Sequence, residues 1–459
     1  MLLTRLSADD TSTMKDLTQG KEGKLIVQFA MPMVLGNMFQ QLYNVVDSII
    51  IGNYLGKEAL AAVGAAYPII FLLISLVIGV GSGFTIIVSQ YFGARNAEKV
   101  KRTIDTTYII LFFAAIAVTI IGITFATPIF RLTDLPQEVL PQARSYLIVY
   151  LTGTVFFFGF SGTSSILRGM GDSKTPLYFM IIAALTNVVL DLLFVVVFKW
   201  GIEGAAIATV ISQAGAFITA ALYLNRRHEV VNLSFRKYVF DREIFRNSIR
   251  IGLPSGLQQT FVAVGMIALY GIVNQFGTST IAAYSVATRI DSFASLLAMN
   301  FASALSAFVG QNLGAQKPER VRAGLKSTWI ITSGISVAIT IVVVLFGENL
   351  MAIFTPDDTV ISIGSSYLVI VSSFYIVFSS LFVVNSVMRG AGDTLIPMFT
   401  TLIALWVVRV PASYFLADRM GVTGIWWAIP LGWGTGFILA FLYYLTGRWK
   451  TKSVIRPKR

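Results

Sequence analysis

Long apolar stretches alternate with short polar breaks along almost the whole chain. A helix of about 20 mostly apolar residues crosses the hydrocarbon core of a bilayer, so this pattern predicts twelve membrane-spanning helices. They fall at 25–52, 60–90, 104–126, 140–167, 176–198 and 203–224, then at 247–275, 281–311, 326–347, 360–388, 396–417 and 422–446. The expected organisation is an N-terminal tail over 1–24, a six-helix bundle over 25–224, a linker over 225–246, a second six-helix bundle over 247–446 and a basic tail over 447–459. The first residues carry Asp9, Asp10, Lys15 and Asp16 with no apolar core or cleavage site. They read as a soluble tail and not as a signal peptide.

Composition supports the membrane as solvent, because 55% of the residues are hydrophobic and only 13% are charged, against roughly 25% charged in soluble domains. There is no cysteine and one histidine, which excludes a disulfide framework and leaves no cluster for a transition metal. His228 falls in a loop and reads as a solvated polar residue. The net charge of +12 would suit nucleic acid, but its placement argues otherwise. Of the 35 lysines and arginines, 28 fall in the tails and in or at the edges of alternate breaks on one side, 6 in or near the breaks on the other side, and one, Arg409, deep inside a span. That bias places both termini in the cytoplasm of a multi-pass protein of the cytoplasmic (inner) membrane, with no nucleic-acid partner. No Walker pattern occurs, so ATP is not an expected partner.

A shift of 221 residues superposes Ala61 on Ala282, Gln90 on Gln311, Gly93 on Gly314, Tyr146 on Tyr367, Arg168 on Arg389, Asp172 on Asp393 and Pro176 on Pro397; with one residue of slippage Pro32 meets Pro254. The chain is therefore a duplication. Six spans return each repeat to its starting side, so the repeats run parallel and share one orientation. The fold class is all-α and polytopic, with twelve helices in two pseudo-symmetric six-helix bundles.

Acidic residues inside spans are costly and mark candidate sites. Asp47 late in span 1 and Asp191 late in span 5 lie in the outer half of the first bundle. Asn187 sits one turn before Asp191 on the same face, and Thr209 in span 6 reaches the same level. Two carboxylates, an amide and a hydroxyl at one depth suit a hard cation or a transferable proton. At the repeat offset Asp47, Asn187 and Asp191 map to Ala268, Val408 and Ala412, so this acidic cluster is not duplicated. In the second bundle, Asp291 and Arg409 have similar depth and are expected to pair structurally. A substrate cavity between the bundles would draw on Gln40, Gln41, Tyr43, Phe156, Gln258, Gln259, Tyr270, Met299 and Tyr375, a mixture of amides, aromatic faces and a flexible methionine that suits organic cations.

Three further signals carry a family resemblance: the loops Tyr91-Phe-Gly-Ala-Arg-Asn-Ala-Glu-Lys-Val100 and Asn312-Leu-Gly-Ala-Gln-Lys-Pro-Glu-Arg-Val321, the hairpins Arg168-Gly-Met-Gly-Asp and Arg389-Gly-Ala-Gly-Asp, and the first span from Pro32 to Asp47. With the six-plus-six spans, they make the chain resemble the multidrug and toxic compound extrusion (MATE) family, in the DinF-like and NorM-related branch of the MOP flippase superfamily. The resemblance implies a transporter and not an enzyme. It implies that Asp47, Asn187, Asp191 and Thr209 couple export of amphipathic cationic compounds to H+ or Na+, with no cofactor beyond that ion. It also implies that Pro32 is a hinge in helix 1. Span 7 lacks the acidic residue of the second cation site found in NorM-type relatives. A monomer in the bilayer, handling small organic molecules, is the expected form. The rival readings are a lipid-linked precursor flippase of the same superfamily, which often has fourteen spans or a cationic cavity, and a non-transporting scaffold or receptor.

Overall fold

The protein is described here by a computed structural model covering residues 14–132, 135–227 and 239–455. His228, Asp134 and the linker residues Arg236 and Lys237 lie outside the described residues, as do Asp9 and Asp10. The helices are α1 (Glu22–Leu55), α2 (Lys57–Gly93), α3 (Ala97–Leu132), α4 (Leu140–Thr152), α5 (Thr154–Gly169), α6 (Lys174–Asp191) and α7 (Gly201–Arg227) in the first repeat. The second repeat holds α8 (Arg242–Val273), α9 (Thr278–Gly314), α10 (Pro318–Ala352), α11 (Asp358–Ser372), α12 (Tyr375–Gly390), α13 (Leu395–Leu402), α14 (Val410–Met420) and α15 (Val422–Leu445).

These helices compose the twelve spans. Among the described residues, nine are long and apolar enough to cross a membrane as unbroken stretches, and two more do so as bent pairs, α4 with α5 at 51° and α11 with α12 at 48°. The remaining span is α1, whose 34 residues reach about 51 Å. Glu22, Lys24, Gln28, Asn37, Gln40, Gln41, Asn44 and Asp47 make it less apolar than the rest. Outward faces carry exposed large side chains such as Phe113, Leu185, Ile267 and Leu345. Lipid is the solvent that makes such faces stable.

The duplication is visible in the backbone. Gly56 and Gly277 open α2 and α9 at φ of 86° and 89°, Gly171 and Gly392 turn the two hairpins at 88° and 89°, and Arg95 and Gln316 turn the two Gly-Ala loops at 57° and 58°. At the hairpins only glycine adopts such angles without strain. Asp172 then caps α6 by accepting from the amides of Lys174 and Thr175, each at 3.0 Å. The fifth span of each repeat also carries a π-helical stretch, Leu192–Val197 directly after Asp191 and Ile403–Arg409 ending on Arg409. Wide turns of this kind re-aim the side chains beside them and recur at functional sites.

By contacts the chain divides into two compact units, one of Met1–Asp16 and Met31–Gly256, the other of Leu17–Ala30 and Leu257–Arg459. The first unit is built on a core containing Phe130, Leu147, Leu151 and Phe158. Its α2 meets the start of α8 through Gly79-x-x-x-Gly83 and Gly252-x-x-x-Gly256, where a Cβ on Gly79 would stand 2.2 Å from the Gly256 nitrogen. Small residues at this spacing let two helix backbones touch in a bilayer. The segment leading into α8 is held in the same unit: the Asp241 amide donates to Thr106 Oγ1 at 3.1 Å, and Lys99 reaches Asp241 and Glu243, each at 3.2 Å. Partial burial opposes the Asp241 charge. The amide of Ile244 and the Lys99 ammonium outweigh it and hold this carboxyl below the usual carboxylate range.

The second unit has its own core around Tyr284, Leu368, Val371 and Trp426. It grips the segment leading into α1 in a matching way. Leu17 donates to Gln311 Oε1 at 3.0 Å, Asn312 donates to the Leu17 carbonyl at 3.1 Å, and Arg320 pairs with Glu22 at 2.9 Å. Thus α1 and α8 each begin in the unit of the other repeat. The division falls between Ala30 and Met31 and between Gly256 and Leu257, within two residues of Pro32 and Pro254.

Candidate functional site

In the first unit, α1 brings Asp47, α6 brings Asn187 and Asp191, and α7 brings Thr209 to one buried place. Their exposures are 8%, 1%, 0% and 4%. All four predicted residues therefore meet. With the Asn187 amide turned as its neighbours require, its nitrogen donates to Asp191 Oδ2 at 2.9 Å and its oxygen accepts from the Thr209 amide at 3.3 Å. The Thr209 hydroxyl donates to the Ala205 carbonyl one turn back at 3.1 Å. The carboxyls of Asp47 and Asp191 lie within hydrogen-bonding reach of each other.

Two bare carboxylates at such range repel, so the contact calls for a shared proton or an intervening cation. The oxygens left over agree with this: Oδ1 of Asp47 and Oδ1 of Asp191 are both buried without a hydrogen-bond partner. A buried acceptor without a donor costs free energy, which a proton or a hard cation removes. The oxygens open to such an ion are those of the two carboxyls, because the Asn187 amide turns its nitrogen toward Asp191.

Three tyrosines complete the surroundings. Tyr43, one turn before Asp47 on α1, interacts with Thr209, Asp47, Asp191 and Tyr150, and Tyr146 on α4 interacts with both carboxyls and with Tyr43. Tyr43 appeared in the sequence reading only as a cavity residue, and Tyr146 and Tyr150 did not appear as site residues. The available signal was the repeat: Tyr146 matches Tyr367, and both stand beside a buried acid.

That second acid is Asp291 on α9. Around it in the second unit are Tyr375, Arg409 and Tyr367, with Tyr284 stacked on Trp426 at 5.5 Å and Tyr367 edge-on to Trp426 at 5.0 Å. Asp291 and Arg409 are close enough to attract, yet no ion pair joins them among the described residues; Tyr375 and Tyr367 face the carboxyl instead, and Arg409 Nε and Trp426 Nε1 are buried without a hydrogen-bond partner. Matching depth brought the two onto one level but did not make their charged groups touch. In low dielectric the attraction still counts. Asp291→Ala, which removes the charge attracting the guanidinium, is expected to cost about 1 kcal/mol of stability, and Arg409→Met on that background should recover most of it. Thermal unfolding of the single and double variants measures this; additive losses would show that the two charges are uncoupled.

The expected cavity residues divide between the units. In the first, Gln40 and Gln41 are exposed on α1, Tyr43 belongs to the acidic site, and Phe156 is partly buried on α5. In the second, Tyr270 and Met299 are exposed, Gln259 is half-buried and Gln258 is buried. The Gln258 amide is fully engaged: it donates to the Pro397 carbonyl at 3.2 Å and to Thr401 Oγ1 at 2.5 Å, and accepts from Arg389 Nη2 at 2.8 Å.

Comparison with known proteins adds four findings. The family model MatE matches residues 32–193 and again 254–415, one match per repeat. The probable multidrug resistance protein YpnP of Bacillus subtilis (strain 168) is 32% identical, over 96% of this chain and 99% of its own. Among solved structures, one described as the outward-facing conformation of a multidrug resistance MATE family transporter of the MOP superfamily is 26% identical, with a TM-score of 0.89 over 96% of this chain and 99% of that one. Another, described as a MATE in the bent conformation, has a TM-score of 0.88 at 26% identity, over 95% and 97%.

Proposed function

Because this chain belongs to the MatE family of membrane transporters, we propose that it is a secondary-active multidrug exporter that expels amphipathic cationic compounds in exchange for H+ or Na+. The observation that carries the reading is the Asp47–Asp191 contact, with an orphaned oxygen on each carboxyl and no acidic counterpart at the repeat positions Ala268 and Ala412. An unduplicated acid pair inside a duplicated fold is a feature added for chemistry, since the fold alone does not require it.

In this reading the ion enters the pair from outside, neutralises it and lowers the free energy of the state in which substrate leaves. Loss of the ion to the inside reverses the bias. A bound ion shifts the balance of states only through its different affinity for them. Asn187 holds the Asp191 carboxyl and is itself held by Thr209, so the ion's arrival changes charge more than geometry. The termini face the cytoplasm of the inner membrane, as the charge bias requires.

The link between ion and substrate runs through α1, which carries Asp47 and passes from one unit to the other just before Pro32. Proline removes one backbone hydrogen bond and lets a helix flex there. Pro32→Ala is accordingly expected to slow export by roughly three- to tenfold with the protein still folded and abundant. Normal export by a well-expressed Pro32→Ala protein would remove the hinge.

The reading as a whole is tested in cells lacking their own pumps. Expression should lower the accumulation of a fluorescent organic cation, and collapsing the ion gradient should restore it. Unchanged accumulation would favour a flippase or a scaffold.

A further inference from the structure

We propose that the outer face of the first three turns of α8 is a binding surface for an anionic phospholipid. The helix starts at Asp241, whose Oδ1 accepts from the amides of Glu243 and Ile244 at 3.0 and 3.1 Å. One face is then fixed by packing. Ile244, Ser248 and Ile251 are fully buried, and Gly252 is pressed against α2.

The opposite face repeats at helical spacing and alternates cations with apolar groups. It presents Arg242, Phe245, Arg246, Arg250 and Leu253, and Phe240 stands 5.5 Å from Phe245, ring to ring. The three arginines are exposed, and none has an ion pair or hydrogen bond among the described residues. Of the nearby acids, Asp241 pairs with Lys99 and lies 3.7 Å from Arg102, and Glu243 pairs with Lys99. Phe240, Phe245 and Leu253 are exposed by 48%, 37% and 37%.

This face belongs to a helix that continues as an apolar span to Val273. Its first turns therefore stand at the level of the lipid headgroups. Guanidinium groups match phosphate oxygens in pairs, while the phenylalanines and Leu253 match the upper acyl chains. A soluble acidic protein would satisfy the arginines but leave those apolar groups in water. A diacyl phospholipid with net negative charge satisfies both. The assignment does not rest on the transport reading, because the binding test involves no transport.

The test uses purified full-length protein in detergent, titrated with fluorescent phosphatidylglycerol and with fluorescent phosphatidylcholine. Each arginine near an anionic headgroup contributes roughly a fivefold gain. The variant Arg242→Gln/Arg246→Gln/Arg250→Gln is therefore expected to bind phosphatidylglycerol more than about tenfold more weakly than the parent, and phosphatidylcholine to bind weakly to both. Lysine at the same three positions keeps the charge but not the paired contacts and should bind more tightly than the glutamine variant and more weakly than the parent, which guards against a variant that merely misfolds. Lys57→Gln/Arg131→Gln, at the other end of the first unit, should bind like the parent. The proposal is overturned if the glutamine variant keeps parental affinity, if the distal variant loses as much, if phosphatidylcholine binds equally well, or if soluble poly-glutamate binds the face as tightly as lipid does.

Discussion

Asp47→Asn and Asp191→Asn are each expected to yield a folded membrane protein whose export falls by more than about tenfold, to the background of cells without it. The substitutions keep side-chain shape. They also preserve local bonding, because an amide at either position has a nitrogen to offer the facing carboxyl, replacing the proton or cation that the parental pair requires. What they remove is the second charge, without which an ion has no reason to bind. Neutralising a buried charge also removes a desolvation cost, so thermal stability should be unchanged or higher. A pair with a purely structural role would lose stability instead. Asp358→Asn, exposed at the start of α11, is a fair control and should export normally. Asp357 is less suitable, since its carboxylate caps α11 by accepting from Thr359 and Val360. Parental export with intact gradient dependence in either interior variant would dismiss that residue from coupling.

The second large effect is on folding. A Cβ at Gly79 would lie 2.2 Å from the nitrogen and 2.3 Å from the Cα of Gly256, and 2.8 Å from the Gly252 carbonyl oxygen. All three are backbone atoms that cannot rotate away, so α8 would have to move off α2. Gly79→Ala should therefore cost more than about 3 kcal/mol and leave little folded protein after extraction. Gly81→Ala, two residues along, meets only Ser165 Oγ at 3.6 Å and should stay within about 0.5 kcal/mol of the parent. Thermal unfolding followed by size-exclusion fluorescence compares them. Equal stability of the two variants would mean that the glycine contact is not what seats α8.

Much of the architecture was legible because span length, turn residues and repetition are local signals. Gly171 and Gly392 could be read as turns from their hairpins, and the 221-residue shift announced two bundles. Bends are harder: span 4 reads as one apolar run over 140–167, yet the chain turns by 51° at Gly153. Depth was also legible, because residue count along a span measures it, and this brought Asp47, Asn187, Asp191 and Thr209 onto one level. Direct contact was less legible: Asp291 and Arg409 stand close enough to attract without forming an ion pair among the described residues. Tyr146 comes from a helix about a hundred residues beyond Asp47, and tyrosine is too common in bundles to announce itself. The paired Gly-x-x-x-Gly stretches at 79–83 and 252–256 were in plain view; their meaning needed the partner helix.

The central claim is that the acid pair of the first unit binds the ion that drives export. Its most direct test is purified protein in liposomes, with a fluorescent organic cation and an imposed pH or sodium gradient. The account predicts that dye moves against the direction of ion flow, that its rate follows one of the two gradients, and that Asp47→Asn and Asp191→Asn abolish the dependence. Dye movement indifferent to both gradients, or equally gradient-dependent in the two variants, would contradict it.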